Sequence, residues 1–341
     1  MKRVGNLFDF IVDFGNLLSA AKRARQGCGW GVETSRFFFH LEPELLELRE
    51  QLTQGTYQPG AYRFFEVRDP KRRTIAVAPF RDRVVHHAVV AVLEPVYERM
   101  FIHDSYATRK GKGTHAAIER AQRFLRRWPC YLKMDVEKFF DSVNHDTLLN
   151  LLARKLDDPA LLSLLERIIR NSSLPGIGLP IGNLTSQFLA NVYLDPFDHL
   201  IKDRWGVPGY VRYMDDWVIF GDEPENLRPL IPAIEQFLAD HLGLRPKPDG
   251  TRLNRAQHGL GFLGVRIFPG YIRQIRASRQ RGLRRLKERH DEWRCGLLSD
   301  DRLSHSLDSL VGHMRHFRPR SRIPTAQPEK AVATFDPQPV E

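Results

Sequence analysis

The sequence predicts an α+β fold, on three observations. Segments with helical and with strand periodicity alternate without the regular rhythm of a doubly wound sheet. The strand-like runs are short and several read as hairpins. Of the 341 residues, 42% are hydrophobic and 27% charged, enough for one large core or two to three subdomains.

The elements follow in order. Residues 1–60 read as helical and polar, with EPELLELREQL (42–52) amphipathic and YQPGAY as a break. AYRFFEVRDPKRRTIAVAPF (61–80) reads as two strands joined by an Asp-Pro-Lys-Arg turn. DRVVHHAVVAVLEPVYERM has helical spacing, and CYLKMDV (130–136) looks like a short buried strand before the helices HDTLLNLLARKL and PALLSLLERIIRN. GNLTSQFLANVYLDPFDHLI predicts a long helix with Phe188, Leu189, Val192, Tyr193, Phe197 and Leu200 apolar. The hairpin GYVRYMDDWVIF, the helix LRPLIPAIEQFLADHL and two strand-like runs around GFLGVRIF complete the core.

A formal charge of +11 favours a polyanionic partner, nucleic acid or an anionic membrane. Apolar stretches fall short of the roughly 18 residues of a spanning helix. Asp9 and Asp13 interrupt what would be a signal segment. The membrane reading therefore fades. Cys28, Cys130 and Cys295 are odd in number and far apart, which suggests neither a disulfide framework nor a zinc site, so a reducing cytoplasm is expected. RKGKGTH (109–115) lacks the GxxxxGK[ST] of a phosphate loop and reads as a basic loop. His86, His87, His313 and His316 read as helix-face histidines.

The chemistry lies in the hairpin. Val211, Tyr213, Trp217, Val218, Ile219 and Phe220 suit a buried strand, yet Asp215 and Asp216 sit among them. Asp135 ends another strand-like run. If the two strands are neighbours, three carboxylates meet at one rim, and such a cluster calls for cations. Two hard divalent ions about 3.5–4 Å apart would satisfy it, the arrangement that phosphoryl transfer requires.

YMDD (213–216) together with KMDVEKFFDSV (133–143) resembles the catalytic core of a reverse transcriptase, and the order of the other blocks agrees over roughly residues 60–270. PKRRTIAVAPFRDRVVHHAV is similar to the fingers block that holds the incoming nucleotide, FIHDSYATRKGKGTHAAI to the block after it, and GFLGVRI to the closing palm strand. In LPIGNLTSQFLANVYL, Ile181 and Gln187 stand where group II intron and retroviral enzymes have Gln and Pro. That pattern resembles the reverse transcriptases of diversity-generating retroelements.

The resemblance implies a right-hand polymerase: fingers with first palm elements over 1–130, a palm of antiparallel sheet and helices over 131–270, a small helical thumb over 271–320 and a disordered tail over 321–341. It implies that Asp135, Asp215 and Asp216 bind two Mg²⁺, with Mn²⁺ a possible substitute. Lys71 and Arg73 would clamp the triphosphate, Phe140 would be the steric gate below the sugar 2′ carbon, and Ile181 would lie beside the nascent base pair. Residues 271–320 hold 13 Lys or Arg against 6 Asp or Glu. DRLSHSLDSLVGHMRHF carries an apolar stripe at Leu303, Leu307, Leu310, Val311, Met314 and Phe317, so a basic thumb gripping a duplex through Arg281, Arg284 and Arg285 is expected. The implied activity is RNA-directed DNA polymerisation: template RNA is copied from a primer with dNTPs into cDNA, with errors at adenines and with a small basic accessory protein. The alternatives are an intron-type or phage-defence reverse transcriptase, and a non-catalytic RNA-binding relic of the fold.

Overall fold

The computed structural model describes residues 3–26, 30–68, 72–172 and 174–316, without the side chains of 310, 311 and 313–316. The chain divides into two compact units at Leu260/Gly261, ten residues before the expected end of the palm.

The first unit opens with four helices: α1 (Phe8–Val12), α2 (Phe14–Arg25), α3 (Val32–Phe39) and α4 (Leu41–Thr53). Leu45, Leu48 and Leu52 recur at helical spacing and are the buried side of α4. The hairpin β1 (Arg63–Arg68) and β2 (Arg72–Val77) follows, then α5 (Phe80–Glu98) and α6 (Thr114–Arg127). The tip of that hairpin, with Lys71, lies outside the described residues.

Next come β3 (Cys130–Asp135), α7 (Phe139–Ser142), α8 (His145–Ala153), α9 (Pro159–Arg170) and α10 (Leu184–His199), the last continued by a π-helical turn over Leu200–Arg204. Asn144 and Asp158 cap α8 and α9 by accepting from Thr147 N and Leu161 N. The hairpin β4 (Tyr210–Tyr213) and β5 (Asp216–Gly221), helices α11 (Pro224–Leu227) and α12 (Leu230–Leu242), and β6 (Arg252–Arg255) finish the unit.

The central sheet has the order β4-β5-β3-β6 and both determined pairings of β3 are antiparallel. Helices cover both of its faces. Trp217 meets Phe197 of α10 at 4.9 Å between ring centroids. Phe220, of opposite parity along β5, meets Phe124 of α6 at 5.3 Å. Burial on both faces explains why β5 reads as a continuous apolar run after its first residue.

From the unit boundary onward, β7 (Leu260–Phe262), β8 (Val265–Ile267) and β9 (Ile272–Gln274) form a separate three-stranded sheet, so the GFLGVRI run pairs there rather than in the central sheet. Helices α13 (Arg276–Arg294) and α14 (Asp300–His316) follow. Of the expected α14 stripe, Leu303 is half-buried and Leu307 is 36% exposed. The side chains of Leu310, Val311, Met314 and Phe317, like the expected disordered tail, lie outside the described residues.

Candidate active site

Asp135 and Asp216 are direct partners across the antiparallel pair β3–β5, and the β4–β5 hairpin closes with Tyr213 opposite Asp216. Met214 and Asp215 are thereby the two turn residues, and Met214 takes a left-handed conformation with φ +54°. Directly paired residues project to the same face. Asp135, Asp216 and Lys133 thus share one face at its rim, with Asp215 at the hairpin tip.

The electrostatics show how closely these groups stand. Burial, and next the charge of Asp135, push the Asp215 carboxyl up to about 6; the two side chains are within hydrogen-bonding reach, and the Arg73 charge opposes the shift. Asp216 is also pushed up to about 6, by burial, although Lys133 Nζ donates to its Oδ2 at 2.9 Å. Its Oδ1 is buried without a hydrogen-bond partner. A carboxyl pair that disfavours double ionisation, beside an orphaned carboxylate oxygen, is an arrangement that a cation relieves. An all-oxygen donor set suits a hard ion such as Mg²⁺. Among the described residues no group of three or more His, Cys, Asp or Glu is preformed to hold an ion, and Asp216 is engaged by Lys133. Mg²⁺ is commonly held by one or two carboxylates while substrate phosphates complete its shell, so the Asp135–Asp215 pair fits it.

Arg73 lies in β2 opposite Val67, within electrostatic reach of Asp215. Strand β2 is fastened to the loop before α10: Ala76 N donates to Ile181 O at 2.8 Å and Asn183 Nδ2 to Ala76 O at 3.1 Å. Gly182 between them has φ +114°, and a Cβ there would lie 2.7 Å from Ile75 Cγ2. Only glycine permits that approach. The same loop holds Phe140, whose carbonyl accepts from Leu179 N at 2.7 Å. Phe140 is half-buried, while Phe139 is 2% exposed and points into the core. One short segment, 179–183, therefore ties together Phe140, Ile181 and the hairpin that carries Arg73.

In the second unit, Arg281 and Arg285 line a cleft of about 640 Å³ between α13 and α14, along with Arg279, Arg289, His305 and Ser306. Arg284 is not part of that lining and pairs with Glu288 at 3.6 Å on the exposed side of α13.

Sequence reasoning missed a buried cluster beneath the turn. Arg212 and Asp198 have fully buried side chains. Arg212 donates to both Asp198 oxygens at 2.7 and 2.5 Å. Burial disfavours the Arg212 charge, but Asp198 more than restores it and the pKa rises. Losing either partner of such a pair costs about 3–5 kcal/mol. A signal was present: one basic and one acidic residue, each inside an apolar run that ought to be buried.

An antiparallel sheet flanked by helices, with paired carboxylates at a hairpin rim, is the arrangement of a right-hand polymerase fold. The family profile "Reverse transcriptase (RNA-dependent DNA polymerase)" matches residues 68–267, and the chain belongs to that family and is an RNA-directed DNA polymerase. It is 27% identical over 310 residues to Protein YkfC of Escherichia coli (strain K12), which spans 76% of this chain and 80% of that protein. It is 27% identical over 172 residues to the group II intron-encoded protein LtrA of Lactococcus lactis subsp. cremoris, 47% of this chain but 28% of that one. In fold it is similar to apo telomerase from Candida tropicalis, with a TM-score of 0.54 at 10% identity over 74% of this chain and 57% of that one. Among the described residues no helix is long and apolar enough to cross a membrane.

Proposed function

We propose that the chain copies a retroelement template RNA into cDNA, with the primer 3′-hydroxyl attacking a dNTP at Asp135, Asp215 and Asp216. The observation that carries this is the Asp135–Asp215 pair set within electrostatic range of Arg73: acidic groups for divalent ions share a field with a cation for the triphosphate. Two Mg²⁺ ions, when bound, supply activation of the attacking hydroxyl and neutralise charge on the leaving pyrophosphate. Asp135 and Asp215 hold that end of the site acidic, and Lys133 steadies Asp216. Arg73, with Lys71 as its companion in sequence, orients the triphosphate. Phe140 excludes the 2′-hydroxyl. Primer extension on a mixed-sequence RNA template with all four dNTPs tests the reading: full-length cDNA is the expected result, and RNA binding without synthesis would replace it with the relic reading.

The second unit is proposed to grip the template–product duplex through its phosphates. Replacing Arg281 and Arg285 by Ala is expected to weaken duplex binding across sequences and to flatten its salt dependence by up to about 0.9 per lost phosphate contact. Arg284→Ala, outside the cleft lining, should do less. A sequence-dependent loss at unchanged salt slope would count against this role.

The relatives favour an intron-type enzyme, since LtrA is named as a group II intron-encoded protein. One block favours the second reading, a mutagenic diversity-generating element with a small basic accessory protein: at Ile181 the side chain offers dispersion contacts where a Gln amide could hydrogen-bond the nucleotide or template. One or two missing hydrogen bonds, each about 0.5–1.5 kcal/mol, would lower discrimination roughly tenfold. Ile181→Gln is expected to cut misincorporation opposite template adenines more than it cuts synthesis, read by sequencing cDNA from one RNA. Equal adenine errors in both proteins would leave the intron-type reading.

A further inference from the structure

We propose that Arg212 is a positioning residue for Asp215: its guanidinium fixes the Met214–Asp215 peptide and so sets the direction in which the Asp215 side chain leaves the turn. The inference rests on the reading of Asp215 as a reactive-site carboxylate, although its geometric half stands without it.

Met214 has positive φ and Asp215 does not. In a two-residue hairpin turn that combination belongs to type II′, whose first position favours glycine. Type I′ differs from it by a flip of the central peptide, which would carry Asp215 to positive φ and swing its carboxyl away from Asp135. A methionine at this position stores strain, and surrounding contacts must hold it.

The contact is visible. Arg212 Nη1 donates to Met214 O at 3.0 Å and to Asn191 Oδ1 at 3.1 Å. The rest of the guanidinium is locked by Asp198, which also accepts from Tyr210 Oη at 2.7 Å. Asn191 is fixed in turn by donating from Nδ2 to Ala107 O at 2.8 Å. The carbonyl of the central turn peptide is therefore held by a fork that cannot rotate. Arg212 lies on the sheet face opposite Asp135 and Asp216, so it acts through the turn backbone and does not touch the reacting groups.

Arg212→Lys is the informative variant. It keeps a charge for Asp198, but a point charge cannot grip Asp198, Asn191 and Met214 O together as the planar fork does. Full-length protein with ¹³C-methyl methionine, free of divalent ions, reports the turn through the Met214 resonance. The expected result for a folded Arg212→Lys protein is a shifted, broadened Met214 signal, a kcat for primer extension reduced about 30-fold by misalignment, and a dNTP KM within about twofold of wild type. Asn191→Ala, which spares the ion pair, should move the same signal less and lower kcat about fivefold; it decides the question alone if Arg212→Lys does not fold. An unmoved Met214 signal with unchanged kcat in a folded variant would overturn the proposal. An active Asp215→Asn protein would instead remove the reading of the carboxylates while leaving the turn result intact.

Discussion

Asp215→Asn is expected to abolish primer extension, a loss of at least about four orders of magnitude, while leaving RNA binding close to wild type and raising the stability of the metal-free protein. Activity and stability move in opposite directions for one reason. The Asp215 carboxyl, pushed up to about 6 by burial and by Asp135, is charged in the fold at neutral pH against the preference of its surroundings. Its folded-state pKa exceeds the unfolded one, so its stabilising contribution is complete below pH 3.8 and is lost as pH rises through about 6. Amidation removes that penalty. In metal-free protein the gain should be roughly 1–3 kcal/mol at pH 8 and should shrink as the pH falls toward 4. Asp135→Asn should likewise abolish extension. Denaturant melts at several pH values and a single-turnover extension assay give both readings; near-normal extension by either variant would sink the two-ion assignment.

Phe140→Ala is expected to lower the preference for deoxyribonucleotides over ribonucleotides by about 100-fold, measured as the ratio of the two kcat/KM values. The 2′-hydroxyl is the group that differs between the two substrates, and a rigid ring is an economical way to refuse it. Lys138 takes φ +43° at the entry to α7, which turns Phe139 into the core and leaves Phe140 half-buried. Two contacts keep it in place: the Leu179 N–Phe140 O hydrogen bond at 2.7 Å and the edge-to-face packing on Phe139 at 5.5 Å. Truncation leaves Phe139 and the local backbone in position, so the variant should fold and accept dNTPs. An unchanged ratio would place the gate on another residue.

Much of the candidate site was legible because its signals are local. Two aspartates within a β-branched and aromatic run, and a third at the end of another such run, contradict their surroundings unless something repays them. Periodicity alone separated α10 from β5. The location of GFLGVRI was not legible: three short strands pair with one another as readily as with a larger sheet, and strand pattern carries no partner information. The α14 stripe was over-read at Leu307, which the packing leaves 36% exposed.

By itself, the sequence determined the residue types and their order: the helices and strands, the acidic rim, the basic segment and the family these motifs resemble. Tertiary structure alone decided which groups meet. It turned Asp216 toward Lys133 and Asp215 toward Asp135, fastened Arg73's hairpin to the Ile181 loop through Gly182, and placed Arg212, Asp198 and Asn191 under the turn. Those pairings join residues distant in sequence, and their strength comes from exclusion of water, a property of the packed interior that no local pattern encodes.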